Sequence, residues 1–342
     1  MMYIENLQLK NSIKTWLIIM FLIISFMIVV GGLTRLTDSG LSITQWQLFS
    51  GFLPPFNSSD WDMYFNLYKE IPEFKIQNYE MTLNEFKVIF WWEWAHRFLG
   101  RLIGISFLLP LIYFTFKVGF KKLANFYLIF ILICFQGFNG WYMVSSGLVD
   151  RVDVSHFRLS VHLIIAFIII SLILWNYLKL KLNNYSDERL KFGLPLIFLS
   201  LIYLQIVIGA FVSGMDAGQI YNSWPLMGSN YFPDDNNHLN LFKLSAFSDP
   251  SLVQFMHRNL AYLIFFFYLF LMIKIYLNKL NNLYFAINLL GLFLLIQIVL
   301  GIFTLLYGAQ IILASMHQIS SIFLVSSSVY FLYLNSNQQP SS

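Results

Sequence analysis

Long uninterrupted apolar runs recur along the whole chain. An α-helix rises about 1.5 Å per residue, so that about 20 apolar residues cross the roughly 30 Å hydrocarbon core of a bilayer. Runs of about this length or longer occur at residues 16–34, 88–116, 123–144, 159–178, 192–213, 255–277, 283–306 and 309–333. The pattern predicts an all-α integral membrane protein with eight transmembrane helices.

The composition supports a membrane protein. Of the 342 residues, 58% are hydrophobic and only 11% are charged, whereas a soluble domain carries about 25% charged residues. The single cysteine, Cys134, lies in an apolar run, which excludes an intrachain disulfide and a cysteine-based metal site. The apolar run after Lys14 is too long for the core of a signal peptide and lacks a cleavage motif, so it is predicted to be a retained helix.

The connections between the predicted helices differ in length and charge. Two are long, residues 35–87 and 214–254, and they hold most of the acidic residues. Lysine and arginine collect on the opposite side, at Lys10, Lys14, Lys117, Lys121, Lys122, Lys179, Lys181, Arg189, Lys191, Lys274 and Lys279. Cationic short connections remain on the cytoplasmic side. Both termini are therefore predicted to be cytoplasmic, and both long connections to face outward.

Aromatic residues at near-helical spacing in the first long connection predict one further helix, within residues 59–71. Two interpretations are open: an amphipathic helix on the outer membrane surface or an ordinary helix packed within the loop.

Two halves of the chain repeat a set of positions at constant offsets. Gly31, Asp38, Gly40 and Trp46 after the first span correspond to Gly209, Asp216, Gly218 and Trp224 after the fifth. Residues His96, Arg97, Gln136, Gly140 and Gly147 correspond to His257, Arg258, Gln297, Gly301 and Gly308. The repeat predicts a parallel duplication. We expect two pseudo-symmetric four-helix bundles, residues 1–185 and 186–342, each containing a version of the same site.

The second predicted span carries four ionisable residues at lipid depth: Glu93, His96, Arg97 and Arg101. An ionisable side chain inside a membrane is costly and usually faces the bundle interior or a cavity. Glu93, His96 and Gly100 fall on one helix face. This helix is therefore predicted to form one wall of a functional site.

Four histidines lie near the outer ends of the second and fourth helix of each half: His96, His162, His257 and His317. A single interior histidine is often a packing residue, but the repeated pairs point to ligands. Two histidines on facing helices suit the axial ligation of a heme, whereas a zinc site takes three or four protein ligands. The sequence therefore favours two bis-histidine heme sites, with iron as the bound metal.

Cations lie close to the candidate ligands. Heme propionates need positively charged partners, and the candidates are Arg97, Arg101, Arg158 and Arg258. The two remaining histidines are assigned otherwise: His238 lies in a polar loop and is expected to be solvated, and His156 is expected to be structural.

The two halves differ beside the first histidine of each pair. Glu93 lies three residues before His96, whereas Gln254 lies three residues before His257. A carboxylate can donate and accept protons, and an amide cannot. The first half is therefore predicted to carry the chemistry and the second to hold a permanent cofactor. The alternative is that Glu93 only forms an i,i+4 ion pair with Arg97.

Six motifs together resemble the heme A synthase family over essentially the whole chain. They are Gly31-Gly-Leu-Thr-Arg-Leu-Thr-Asp38-Ser-Gly40-Leu-Ser, Glu93-Trp-Ala-His96-Arg97, Ser155-His-Phe-Arg158-Leu-Ser-Val-His162-Leu, Asp216-Ala-Gly-Gln-Ile-Tyr-Asn-Ser-Trp224-Pro-Leu-Met, His257-Arg258-Asn and His317-Gln318. The chain is most similar to the branch found in alphaproteobacteria and mitochondria, because it lacks the cysteine pair that typifies the first outer loop of the other branch.

The resemblance implies oxidation of the C8 methyl group of heme O to a formyl group, giving heme A for cytochrome oxidase. It implies that His96 and His162 bind heme O or heme A, with Glu93 beside them, and that His257 and His317 hold heme b.

The same resemblance implies heme O synthase and the assembly of cytochrome oxidase as partners, together with an electron acceptor whose identity it leaves open. Membrane lipid surrounds such a protein, a homo-oligomer is compatible with the sequence, and no feature points to nucleic acid. We expect a multi-pass protein of the bacterial inner membrane rather than of the mitochondrial inner membrane.

Two other functions are compatible with parts of the pattern. A di-heme b-type electron-transfer protein also needs paired histidines, but it usually places ligands at both membrane depths, whereas all four here lie toward one side. A repeat-built transporter suits a parallel duplication, but it leaves the four histidines unexplained.

Overall fold

The computed structural model describes residues 6–46, 50–182, 189–191 and 193–336. Within these ranges the chain forms α1 (Leu7–Leu36), α2 (Ser58–Lys69), α3 (Pro72–Ile76), α4 (Leu83–Val118), α5 (Ala124–Asp150), α6 (His156–Lys181), α7 (Gly193–Gly214), α8 (Pro250–Leu277), α9 (Tyr284–Leu306) and α10 (Ile311–Ser336). The only β-pairing in the same ranges is an isolated bridge between Met227 and Asn230.

The predicted all-α class and the eight spans are confirmed. Apart from α2 and α3, every one of these helices is long and apolar enough to cross a membrane. The chain is therefore a multi-pass membrane protein.

Several helices extend beyond their apolar runs, because their ends are set by capping rather than by hydropathy. The side chain of Asn6 accepts a hydrogen bond from the backbone N–H of Leu9 at 3.0 Å and so caps α1. A capping box is present at the start of α4. Glu85 Oε2 accepts from the backbone N–H of Thr82 at 2.8 Å, and Thr82 Oγ1 accepts from the backbone N–H of Glu85 at 3.4 Å.

The helix predicted within residues 59–71 is present as α2, and it is packed against α4. Phe65 and Tyr68 are buried, and the ring of Tyr68 lies 5.2 Å from that of Phe86, centroid to centroid. The ring of Trp61 similarly lies 5.0 Å from that of Phe90. The interpretation as a packed loop helix is the one that these contacts support.

The chain divides into two compact units. Residues Leu22–Ala166 form one, and the described residues before Leu22 and after Ala166 form the other. The domain boundary predicted between residues 185 and 186, like the predicted start of the fifth span at residue 192, lies outside the described residues. The division into 1–185 and 186–342 therefore stays a prediction.

The sequence repeat is reproduced in the backbone. Asp38, shortly after α1, and Asp216, shortly after α7, both adopt a left-handed conformation, with φ of 47° and 50°. A positive φ is uncommon for residues other than glycine, although aspartate tolerates it better than most. Matched left-handed aspartates at matched positions support the duplication.

Candidate functional site

Within the unit Leu22–Ala166, α4 and α6 bring together the first predicted histidine pair. The ring centroids of His96 and His162 lie 6.3 Å apart, and their planes are inclined by 32°. Two imidazole–metal bonds of about 2 Å each, with roughly 1 Å from each nitrogen to its ring centre, place the centroids about 6 Å apart. The spacing therefore fits one metal held between the two rings.

Each ring of this pair lies directly against a glycine of a neighbouring helix. A Cβ atom added at Gly31 of α1 would lie 2.7 Å from His96 Cε1, and one added at Gly140 of α5 would lie 3.1 Å from His162 Cε1. Real Cβ atoms essentially never approach to 2.7 Å and seldom to 3.1 Å, so each imidazole packs in this position because the neighbouring residue has no side chain. The sequence marked these glycines as repeat positions but did not predict their contact with the ligands.

The other unit contains the second pair in the same surroundings. His257 of α8 lies against Gly209 of α7, and His317 of α10 lies against Gly301 of α9. A Cβ atom added at either glycine would lie 3.0 Å from the Cε1 of its histidine. The predicted repetition of the site is thus present in the packing of the ligands.

All four histidines carry a buried ring nitrogen that the described protein atoms leave unsatisfied. The Nδ1 atoms of His96, His162, His257 and His317 have no hydrogen-bond partner among the described residues. Buried polar atoms are normally paired, and a neutral imidazole binds a metal through either nitrogen. In the described part of the chain, no group of three or more His, Cys, Asp or Glu side chains could hold a metal ion. The histidine pairs therefore fit a metal whose remaining ligands come from a macrocycle.

Three of the ligands are also held by a glutamine that the sequence did not single out as a site residue. Gln136 Nε2 donates to the backbone carbonyl of His162 at 2.9 Å. Gln205 Nε2 donates to the backbone carbonyl of His257 at 3.0 Å. The third, Gln297, places Nε2 3.3 Å from His317 Nε2. Each glutamine lies four residues before the glycine that seats the same histidine, and this spacing is the signal that could have found them.

Glu93 is buried, with 3% of its surface exposed, and both of its carboxylate oxygens accept hydrogen bonds. Oε1 accepts from Arg97 Nη2 at 2.6 Å and from Arg97 Nε at 3.0 Å. Oε2 accepts from Ser42 Oγ and from the backbone N–H of Ile43, both at 2.7 Å. The ion pair expected under the alternative interpretation is present. A proton-transfer role for Glu93 stays a prediction.

Arg97 also attaches the long connection after α1 to α4. Its Nη2 donates to the carbonyl of Ile43 at 2.7 Å, and its Nη1 donates to that of Gln45 at 3.2 Å. The guanidinium carbon lies 5.2 Å from the ring centroid of Trp46. The arginine therefore stabilises the loop whose backbone also reaches Glu93.

Arg258 makes the equivalent bonds in the second half. Its Nη2 donates to the carbonyl of Tyr221 at 2.9 Å, and its Nη1 donates to that of Ser223 at 2.8 Å. Where the first half has Glu93, Gln254 donates through Nε2 to the carbonyl of Tyr221 at 3.2 Å. The two halves thus share the arginine-to-loop bonds and differ at the carboxylate.

The other two predicted cations differ in their surroundings. Arg101 and Arg97 line a small cleft, together with Trp94 and Leu53. Arg158 lies over the ring of Tyr142, with 4.4 Å between guanidinium carbon and centroid, and donates to its hydroxyl at 3.3 Å. All four arginines stay predictions as propionate partners.

The remaining histidines are found in other settings. The ring of His156 lies 4.2 Å from that of Phe157, and the ring of His238 lies 3.9 Å from that of Phe232, centroid to centroid. His238 is exposed in the long connection between α7 and α8.

Eight apolar spans and two histidine pairs, each in glycine-lined surroundings, define a polytopic membrane protein with a repeated, histidine-lined candidate site. The chain belongs to the COX15-CtaA family, described as cytochrome oxidase assembly protein, whose family model matches residues 14–329.

Several relatives resemble the chain over nearly its full length. A protein of Pelagibacter ubique named heme A synthase is 48% identical over 98% of this chain and 100% of its own length. A heme A synthase of Rickettsia bellii (strain OSU 85-389) is 44% identical over 93% of this chain and 96% of its own. A heme A synthase of Rickettsia felis is also 44% identical, over 95% of this chain and 98% of its own length.

Proposed function

We propose that this chain is an oxidoreductase that converts the C8 methyl group of heme O into the formyl group of heme A, for use by cytochrome oxidase. The single observation that carries the proposal is the buried His96–His162 pair, whose 6.3 Å ring separation fits a heme between the rings. The relatives named heme A synthase support the same substrate and product. Conversion of a methyl to a formyl group is a four-electron oxidation that introduces one oxygen atom.

In this proposal the two histidine pairs have different tasks. His96 and His162 hold the substrate, heme O, and later the product, heme A. His257 and His317 hold heme b, which when bound would supply a centre that accepts and passes on single electrons. The glycine seats and buried ring nitrogens of both pairs support this assignment, because they leave room and ligand capacity for a flat macrocycle.

Glu93 is assigned to proton handling beside the substrate. It lies about one turn before His96 on α4, and Gln254 replaces it in the half assigned to heme b. The Ser42 hydroxyl donates to Glu93 Oε2 at 2.7 Å, so that a proton could pass between these two oxygens. Arg97 holds the other oxygen, Oε1, and orients the carboxylate.

The arginines are assigned to the propionates. Arg101 lines a cleft beside Arg97, and Arg158 lies within a turn or so of His162 on α6. Arg97 and Arg258 already donate to carbonyls of the outer loops, so their contribution to propionate binding would depend on the position of those loops.

The proposed setting is the bacterial inner membrane, with both termini in the cytoplasm. The cationic residues of the short connections support this orientation. The family description supports a place in cytochrome oxidase assembly, and heme O must be supplied by a heme O synthase. An electron acceptor must remove the electrons that the oxidation releases.

The proposal is tested in a bacterium that makes heme O but no heme A. Expression of the chain should lead to heme A in extracted membranes, identified by mass, and a His96→Ala, His162→Ala double variant expressed to the same level should not. Heme O alone in cells that contain the folded wild-type protein would contradict the proposal.

A further inference from the structure

Each of the four histidines contacts a glycine of a neighbouring helix, and we call this glycine and its surroundings the seat of that histidine. The four seats differ at one position. In three of them a glutamine lies one turn before the seating glycine: Gln136 before Gly140, Gln205 before Gly209, and Gln297 before Gly301. In the fourth, on α1, the residue one turn before Gly31 is Met27. The exception belongs to the seat of His96, in the half to which the substrate is assigned.

The glutamines connect three of the four histidine-bearing helices, α6, α8 and α10, to a neighbouring helix. Gln205 Nε2 donates to the His257 carbonyl at 3.0 Å and lies 3.3 Å from His257 Nε2. Gln297 Nε2 likewise lies 3.3 Å from His317 Nε2, and Gln297 Oε1 accepts a hydrogen bond from Ser320 Oγ on α10. In the second half, both ligands are therefore fixed by an amide from the adjacent helix.

Met27 cannot make this tie, because a thioether has no hydrogen to donate. Its Cε lies 3.6 Å from the position that a Cβ of Gly100 would occupy. Gly100 follows His96 by one turn on α4. The contact between α1 and α4 at this position is thus made by the flexible, apolar side chain of Met27 and the backbone of Gly100. Such a contact can rearrange more easily than a hydrogen bond between an amide and a carbonyl.

We propose that Met27 is a positioning residue that allows the heme bound at His96 to exchange, whereas Gln205 and Gln297 hold His257 and His317 in place and so retain heme b. The inference rests on the proposed function, because a substrate heme must enter and a product heme must leave while heme b stays. A ligand tied to two helices resists the small displacement that frees the macrocycle. A ligand tied to one helix permits it.

The test measures heme transfer from the purified, detergent-solubilised protein to an excess of apomyoglobin, followed in the Soret region, with extraction to identify each released heme. Wild-type protein should release heme O or heme A faster than heme b. Met27→Gln should slow the release of heme O or A about fivefold, the effect of roughly one net hydrogen bond. Gln205→Met should speed the release of heme b by a similar factor. Met27→Leu, which stays apolar, is the matched control and should release heme as the wild type does.

Retention of heme b by Met27→Gln shows that this variant is folded. Unchanged release of heme O or A from Met27→Gln, or unchanged release of heme b from Gln205→Met, overturns the inference while leaving the proposed function intact. Purified wild-type protein that contains no heme overturns the proposed function itself, and with it the inference.

Discussion

Glu93 accepts hydrogen bonds on both carboxylate oxygens, from Arg97 on one and from Ser42 and the Ile43 backbone on the other. At the matched position, Gln254 instead donates to a loop carbonyl. The sequence identified this difference, but it could not predict the contacts with Ser42 and Ile43, because both lie in the connection after α1, far from Glu93 along the chain.

Replacing Glu93 by glutamine separates the two roles considered for this residue. The size of the side chain is nearly unchanged, so we expect the fold and the heme b content to be retained. If Glu93 handles protons, heme A formation should fall about a hundredfold or more, and heme O or a hydroxymethyl intermediate should accumulate. The measurement is the ratio of heme A to its precursors in cell extracts.

Arg97→Gln is the control for this experiment, because it removes the ion pair while keeping the carboxylate. If Glu93 acts only as the partner of Arg97, both variants should lose a similar, modest part of the activity. Near-normal heme A formation by Glu93→Gln would rule out an essential proton-transfer role for the carboxylate.

Gly31 is the most crowded of the four ligand seats. In Gly31→Ala the new Cβ would lie 2.7 Å from His96 Cε1, so the imidazole must move out of its seat. We expect this variant to lose heme O and heme A while keeping heme b. Gly137→Ala adds the same methyl group to a helix position with no neighbour within 4 Å, and it should bind both hemes normally. Pyridine hemochrome spectra of the two purified variants measure their heme content. A full heme content in Gly31→Ala would contradict the claim that heme binding requires His96 to pack against Gly31.

At the level of the elements, α2 packs against the N-terminal part of α4, and α2 and α3 together bury a carboxyl group. Glu73 of α3 is 2% exposed, and its Oε1 accepts a hydrogen bond from the Tyr68 hydroxyl at 3.2 Å. Burial raises the pKa of Glu73 to about 8, and the negative charges of Glu93, Asp153 and Asp38 add to the increase, although the Tyr68 hydrogen bond opposes it.

This raised pKa predicts a pH-dependent stability. Because the folded state binds the Glu73 proton more tightly than the unfolded state, its contribution is complete below the ordinary carboxyl pKa of about 4.5 and is lost as the pH rises through about 8. Glu73→Gln stays neutral, so it should unfold at a higher temperature than the wild type above pH 8 and lose less stability between pH 6 and pH 9. If the melting temperatures of the two proteins change in parallel between pH 6 and pH 9, Glu73 is not buried in its neutral form.

The spans were predictable because a membrane helix must be long and apolar, and its run can be read directly from the chain. The packing of α2 on α4 was not, because Phe65 and Tyr68 are equally suited to lipid and to a protein core. The histidine pairs followed from the repeat. The contacts of the histidines with glycines and glutamines could not be predicted in the same way, because they depend on how far neighbouring helices are shifted relative to one another along their axes.

At the scale of the whole molecule, the arrangement of charge predicts which loops face outward. Single cysteines replacing Ser59 and Phe242, both exposed, test this in a chain whose own Cys134 is replaced by alanine. An impermeant maleimide added to intact spheroplasts should label both positions. A cysteine replacing Lys121 in the same background should react only after lysis, and the reverse pattern would invert the proposed orientation.

The proposed assignment of different hemes to the two histidine pairs is tested by identifying, by mass, the heme that each purified double variant retains. Purified His257→Ala, His317→Ala should lose heme b, and His96→Ala, His162→Ala should keep heme b and lose heme O and heme A. Each variant is the folding control for the other. If both variants retain the same hemes in the same proportions as the wild type, these histidines are not the ligands, and the account is contradicted.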